Sequence, residues 1–364
     1  MTRAATSGAP VLLVAAAGVL GGAERVLLDW AGALERPELL ACPPGPLAAA
    51  AASAGIGVAP LAERPLRRRG RSGRAAFELG ALAADVARLA RRHRPAVVVA
   101  SGQRPLLAAA FTPLRGAPLL ALQHDLPPDR ATGVLLRAAA ARCAAIVATS
   151  GAIARSLDPA GRRLGRTHVI HPGVEAGSWS LPDPPPGPPR ALCLGALVPW
   201  KRADVALEIA ARVPELRLDL AGAPLPGVPL DFVARLDERV ARPDLSGRVR
   251  FLGAVADPRT ALAQSHCLLH CADREPFGLA LVEALAAGRP VVAPAAGGPL
   301  EIVTATCGRL YRPGDAAAGA AALRAALADP GAPAAARARA AAFDGAAAAR
   351  RFAALVERVS RPGP

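Results

Sequence analysis

The feature that most constrains this chain is an alternation of short apolar runs with Ala-rich amphipathic stretches. It runs almost end to end and is broken once, by Ser180-Leu181-Pro182-Asp183-Pro184-Pro185-Pro186-Gly187-Pro188-Pro189. Strand-length apolar runs separated by helices predict parallel sheets covered on both faces, because parallel strands need crossover connections and are buried on both sides. Before the break the strand candidates are 10–16, 38–42, 56–59, 96–100, 118–122, 144–148 and 167–171, with helices notably at 22–35, 74–93 and 131–141. After it, strands are expected near 190–195, 216–221, 248–252, 266–270, 290–293 and 307–311. Helices are expected near 201–212, 229–241, 257–264, 278–287 and 314–328. Proline removes backbone donors and favours extended chain, so the break predicts a linker. The expected organisation is a doubly wound domain over 1–175, a Pro-rich linker over 176–189, a second doubly wound domain over 190–330 and a helical segment over 331–364. Two such domains facing across a cleft would bind ligands outside the carboxyl ends of their strands.

A length of 364 residues exceeds what one hydrophobic core usually serves, in keeping with two domains. Although 52% of the residues are hydrophobic, much of that is Ala, and no run reaches the roughly 20 strongly apolar residues of a bilayer span. Val11-Leu12-Leu13-Val14 reads as a buried first strand and not as a signal peptide. Cys42, Cys143, Cys193, Cys267, Cys271 and Cys307 form no disulfide framework, which suits a reducing compartment and a cytoplasmic location. His266, Cys267, His270 and Cys271 crowd into six residues, but strand alternation would send the histidines to one face and the cysteines to the other, so no metal site is expected. The formal charge of +15 raises nucleic acid or an anionic membrane as partners. Arg is spread along the whole chain and aromatics make up only 3%, too few for base-stacking platforms, so a solvated basic surface is the plainer reading. One cluster is denser: the Gly-containing loop Arg67-Arg68-Arg69-Gly70-Arg71-Ser72-Gly73-Arg74, a candidate peripheral membrane contact at the inner face.

The stretch from Arg274 to Val292 carries the most chemistry. Glu275 lies in a strand-end loop, Gly278 stands where a helix starts, Glu283 falls within its first turns, and Gly288-Arg289-Pro290 ends it. A helix start offers backbone amides to a phosphate, while carboxylates at the same mouth can accept hydrogen bonds from sugar hydroxyls. Lys201, the only lysine, stands where a strand has ended and a helix begins, where a compact ammonium can meet a diphosphate as a point charge. Gly21 and Gly22 open a helix after the first strand and allow close backbone approach to a phosphate or an acceptor, yet with Gly18 they do not have the dinucleotide spacing. His124 follows an apolar strand and is placed at a strand end.

Glu275 and Glu283 around Pro276-Phe277-Gly278-Leu279, followed by Ala295-Ala296-Gly297-Gly298-Pro299, resemble the hallmark of retaining GT-B glycosyltransferases of the family 4 type. The resemblance extends to Gly21-Gly22-Ala23-Glu24, Gln123-His124-Asp125, Ser150, His171-Pro172-Gly173-Val174 and Gly195 through Arg202, most of the chain. It implies α/β GT-B architecture, with two Rossmann-like domains and a nucleotide-diphosphate sugar, UDP- or GDP-linked, held mainly by the second. By this resemblance Glu283 holds the donor ribose and Glu275 faces the transferred sugar. The backbone of Phe277, Gly278 and Leu279 lies near the phosphates, Lys201 meets the diphosphate, and His124 faces the sugar. The sequence departs at Ala196, where many members carry Arg, and Arg202 is the nearest replacement.

The implied reaction is transfer to an acceptor hydroxyl of a glycan, a lipid-linked or a small molecule, with retention of anomeric configuration and without cofactor. No Asp-x-Asp motif stands at a strand end, so cationic and backbone groups would stabilise the leaving diphosphate. The rivals are a GT-B nucleotide-sugar epimerase or phosphorylase and, of another class, a basic non-catalytic nucleic-acid-binding protein. Nucleoside diphosphate release only with acceptor separates the first; steep salt dependence of polynucleotide binding marks the second.

Overall fold

A computed structural model of the protein describes residues 8–36, 38–64, 72–162, 165–225 and 227–361. The chain divides into two compact units, residues up to Pro172 together with those from Gly345 onward, and Gly173–Asp344.

The first unit is built on β1 (Val11–Ala15), α1 (Gly22–Ala31), β2 (Glu38–Cys42), α2 (Pro46–Ser53), β3 (Gly57–Pro60), α3 (Ser72–His93), β4 (Val97–Ser101), α4 (Gln103–Ala110), β5 (Leu119–Gln123), α5 (Arg130–Ala140), β6 (Ala145–Ala148), α6 (Gly151–Leu157) and β7 (Thr167–Val169). Its strands form one parallel sheet in the order β3-β2-β1-β4-β5-β6-β7. All five residues of β1 are buried, as its unbroken apolar sequence requires of a central parallel strand. Where polar side chains follow strands they cap helices: Ser150 Oγ accepts from the Ile153 amide at the start of α6, and Asp129 from Thr132 at the start of α5.

The second unit contains β8 (Arg190–Leu194), α7 (Ala203–Ala211), β9 (Arg217–Ala221), α8 (Leu230–Val240), β10 (Val249–Gly253), α9 (Pro258–Ala263), β11 (Cys267–Leu269), α10 (Leu279–Ala286), β12 (Val291–Pro294), α11 (Pro299–Ile302), β13 (Gly308–Tyr311), α12 (Ala316–Leu327) and α13 (Ala332–Ala340). Its parallel sheet has the order β10-β9-β8-β11-β12-β13, with one core on each face. The order reverses between β8 and β11, the point at which such sheets place their ligands.

Two expectations about the chain's organisation differ from what is found. The Pro-rich segment lies against the second unit: Trp179 and Leu181 pack on its core, and the buried Arg289 donates from Nη2 to Pro182 O at 2.5 Å. Burying apolar side chains inside the segment gives it a packed side that proline content alone does not reveal. The helical segment expected over 331–364 holds two helices, with Phe343 turned inward against Phe277 between them. α13 stays with the second unit, while α14 (Gly345–Ser360) joins the first, where Phe352 stacks on Trp30 with ring centroids 5.2 Å apart. Among the described residues no helix is long and apolar enough to cross a membrane.

Candidate active site

The chemistry of the second unit gathers at its switch point. Gly195 and Ala196 follow β8 and His270 follows β11; with Lys201, Cys193 and Leu269 they line a small pocket open to solvent. Gly195 has φ +139° and its peptide runs against Gly222, where a Cβ would stand 1.9 Å from Gly195 O. Only glycine permits this approach, and the pocket wall there is bare backbone. Ala196 adds no charge to it. Lys201 ends a short turn (Pro199–Lys201) and Arg202 takes a left-handed conformation, φ +54°, before α7.

Lys201 Nζ donates to Glu275 Oε2 at 2.6 Å and lies 4.4 Å from the centre of the Trp200 ring. Glu275 is 6% exposed. Burial pushes its pKa up, but the charge of the Lys201 ammonium leads the opposing influences that bring it to about 2, so the carboxylate is ionised at neutral pH. His270 Nε2 stands 3.2 Å from the same oxygen, within ion-pair range. It completes no hydrogen bond among the described residues. Burial lowers the His270 pKa, with Lys201 adding to the effect against the opposing pull of Glu275, so the ring is neutral and Lys201 carries the compensation of this carboxylate.

The loop bearing Glu275 is held by backbone. Gly298 N donates to Glu275 O at 2.9 Å, and a Cβ on Gly297 (φ +64°) would meet that oxygen at 2.2 Å. Gly278, φ +104°, caps α10. Phe277 turns into the core between them, so it is the backbone of this residue, not its ring, that faces the loop. Leu279 opens α10 and Glu283 is half-buried one turn further on.

Arg202 Nη1 donates to Asp273 at 2.7 Å, and its Nε and Nη2 grip Asp204 at 2.9 to 3.1 Å. These two carboxylates take up the guanidinium proposed to replace the missing arginine at 196. Of the remaining sequence-derived residues, Gly22 and His124 lie in the first unit. Gly22 begins α1, whose preceding amide, Gly21 N, donates to Glu24 Oε2 at 3.0 Å. His124 follows β5 with Nε2 3.4 Å from Ser101 Oγ, and burial lowers its pKa to about 4, leaving it neutral. Arg67, Arg68, Arg69, Gly70 and Arg71 lie outside the described residues; Arg74 sits exposed on α3 beside Glu78.

His270 is the site residue that sequence reasoning missed. Strand alternation sends His266 and His270 to the face opposite Cys267 and Cys271. Cys267, Leu269 and Cys271 enter one core and Leu268 the other, His266 Nδ1 accepts from the Arg190 amide at 3.1 Å, and His270 is left at the strand end beside Glu275.

Two parallel doubly wound units, one carrying a buried carboxylate and a lone ammonium at its switch point, define the GT-B glycosyltransferase class. Residues 182–343 match the family model for glycosyl transferases group 1 and residues 20–177 that for glycosyltransferase family 4, and the chain belongs to this family. HepE of Anabaena, solved in complex with UDP and glucose, superposes with a TM-score of 0.81 at 26% identity, covering 95% of this chain and 99% of that one. Sucrose-phosphate synthase of Thermosynechococcus elongatus shares the fold, with a TM-score of 0.80 at 19% identity over 96% of this chain and 98% of its own. Among curated relatives, the D-inositol 3-phosphate glycosyltransferase of Geodermatophilus obscurus is 32% identical over 254 residues, 62% of this chain and 54% of that protein. The enzyme of the same name from Mycolicibacterium paratuberculosis is 34% identical over 152 residues, 36% of this chain and 32% of that protein. The chain thus spans about a third to a half of the length of these relatives.

Proposed function

We propose that this protein transfers a glycosyl group from a UDP- or GDP-linked donor to an acceptor hydroxyl with retention of anomeric configuration. The observation that carries the reading is the buried, ionised Glu275 paired with Lys201 at the mouth of a backbone-walled pocket. The Gly195 backbone and one ammonium suit a diphosphate, and a desolvated carboxylate suits sugar hydroxyls and the positive charge that develops at the anomeric carbon. HepE, which binds UDP-glucose, supports a uridine donor as the first to test. In this reading Glu283 holds the ribose, and Gly278 and Leu279 offer backbone near the phosphates; Gly22 and His124 are residues of the first unit. The departing phosphate helps to deprotonate the acceptor on the same face of the sugar, and Lys201 with backbone amides, without a divalent metal, balances its charge. The setting is cytoplasmic, with the Arg67–Arg74 segment as the contact to an anionic inner membrane face.

The deciding experiment is a binding panel of UDP- and GDP-sugars, followed by assay of nucleoside diphosphate release with and without candidate acceptors. Release that depends on acceptor supports transfer; interconversion of the donor sugar without acceptor would point to an epimerase. Preference for polynucleotide over every nucleotide sugar would overturn the reading.

A further inference from the structure

Lys201 cannot serve two anions at full strength. Its ammonium is committed to Glu275 Oε2 at 2.6 Å, yet it lines a pocket whose other lining residues, Gly195 and Ala196 among them, include no second lysine or arginine. Arg202, the next basic residue, is taken up by Asp204 and Asp273. A diphosphate entering the pocket therefore competes with Glu275 for the same charge. A buried carboxylate stripped of its partner is strongly disfavoured, so something must take the place of the ammonium.

One group is positioned to do so. His270 Nε2 is buried, 3.2 Å from the oxygen that Lys201 holds, and completes no hydrogen bond among the described residues. The groups around it are Glu275, Lys201, the Cys193 and Cys271 thiols and Tyr311, whose hydroxyl donates to His270 O at 3.2 Å. Burial pushes Tyr311 upward, and the hydrogen bond with Cys271, followed by burial, pushes Cys193 upward, so both are neutral. Asp273 is engaged by Arg202. The charge felt by His270 is thus set by Lys201 and Glu275. Drawing the ammonium toward a polyanion removes a positive charge from beside the ring and adds negative charge to the pocket, and both changes favour imidazolium.

We propose that Lys201 is a shared cation that passes from Glu275 to the diphosphate of an incoming nucleotide, and that His270 then takes a proton from solvent and becomes the partner of Glu275. His270 is a positioning residue: it keeps the carboxylate ionised and in place while the ammonium is engaged elsewhere. The proton returns to solvent when the nucleotide leaves. The inference rests on the reading of the pocket as a diphosphate site.

The test is calorimetry of UDP binding to the full chain at pH 7 in HEPES and in Tris, which differ in ionisation enthalpy. Wild type should take up close to about one proton more per UDP than His270→Gln, which keeps a side-chain donor near Oε2 but cannot gain a charge; taking the difference removes the titration of UDP itself. In parallel, ring resonances of the six histidines should show one additional imidazolium when UDP saturates the wild type, a readout that stands even where the variant fails to fold. Equal proton uptake by the two proteins, or a ring that stays neutral with UDP bound, overturns the handover and leaves the donor reading intact. Failure of the folded wild type to bind either UDP or GDP overturns both.

Discussion

Gly298 lies beneath the carbonyl of Phe277 so closely that a Cβ would stand 1.9 Å from the oxygen. Its φ is −60°, an ordinary helical value, so glycine is required there by space and not by backbone angle. The loop carrying Glu275 and the loop opening α11 are thereby pressed together, and the position of the carboxylate depends on a side chain that is missing.

Gly298→Ala is therefore expected to displace the Glu275 loop and to destabilise the second unit by roughly 1 to 3 kcal/mol, the usual range for overpacking. Gly314→Ala is the comparison: φ is +75° but nothing lies within 4 Å, so its penalty is confined to the backbone, roughly 1 to 2 kcal/mol. Denaturant unfolding with nucleotide binding separates the two. Loss of binding in Gly298→Ala, but not in Gly314→Ala, is the expected outcome; unchanged UDP affinity in both would show that the loop contact does not set the site.

The Glu275 carboxyl falls from an ordinary 4.5 to about 2 on folding. A depressed acid contributes stability that is fully present above its unfolded pKa and is lost as pH falls through the folded value, so the window runs from about pH 4.5 down to about pH 2. The whole effect is on the order of 3 kcal/mol. Urea unfolding of wild type and Glu275→Gln from pH 7 to pH 3 should show their difference shrinking as the medium becomes acid. A difference independent of pH would mean that Lys201 does not stabilise the charged form. Glu275→Ala, in turn, should keep its circular dichroism and lose turnover by at least tenfold, since a charged hydrogen bond is worth roughly 1.5 to 3 kcal/mol.

The alternation of apolar runs with Ala-rich helices matches all thirteen strands of the described residues to within about two residues; the central strands are buried and tolerate little else in their sequence, whereas β3, β7 and β10 at the sheet edges keep apolar residues while half-buried or exposed. The short helices α2, α4 and α6 were not singled out; Pro46-Leu47-Ala48-Ala49 and Gln103-Arg104-Pro105-Leu106 have too few polar positions to display a helical period. The tertiary destination of the C-terminal helix was equally hidden, since nothing local in Phe352 says that Trp30 is its partner. At the site, the spacing of Glu275 and Glu283 and the solitary Lys201 were legible. The Lys201–Glu275 pairing was not, because it joins residues 74 positions apart. His270 was concealed by a more conspicuous chemistry, the neighbouring cysteines.

For Lys201, transfer is expected to persist in EDTA and to collapse in Lys201→Ala, with partial recovery in Lys201→Arg, whose planar fork places its donors farther out and at fixed angles. Affinity for UDP should fall by more than affinity for uridine. Equal weakening of both ligands would indicate a distorted pocket, and loss of wild-type activity in EDTA would assign the diphosphate to a metal instead.

Replacing Arg67, Arg68, Arg69 and Arg71 by Ser should reduce co-sedimentation with anionic liposomes, at about 1 kcal/mol per well-placed charge, more strongly at low salt than at physiological salt. Identical sedimentation of the two proteins at both salt concentrations would remove the membrane contact from the proposed function.

The position of α14 has a consequence for how the chain is made. The second unit is continuous in sequence and can close once Asp344 has been synthesised, whereas Trp30 in the first unit lacks its Phe352 cover until residues beyond Asp344 emerge. At about 5 to 20 residues per second, the 172 residues from Gly173 to Asp344 take roughly ten to thirty seconds to translate. Through that interval the first sheet waits on the ribosome with the groove for α14 open, and a chaperone that shields the α1 surface would act during translation instead of after release.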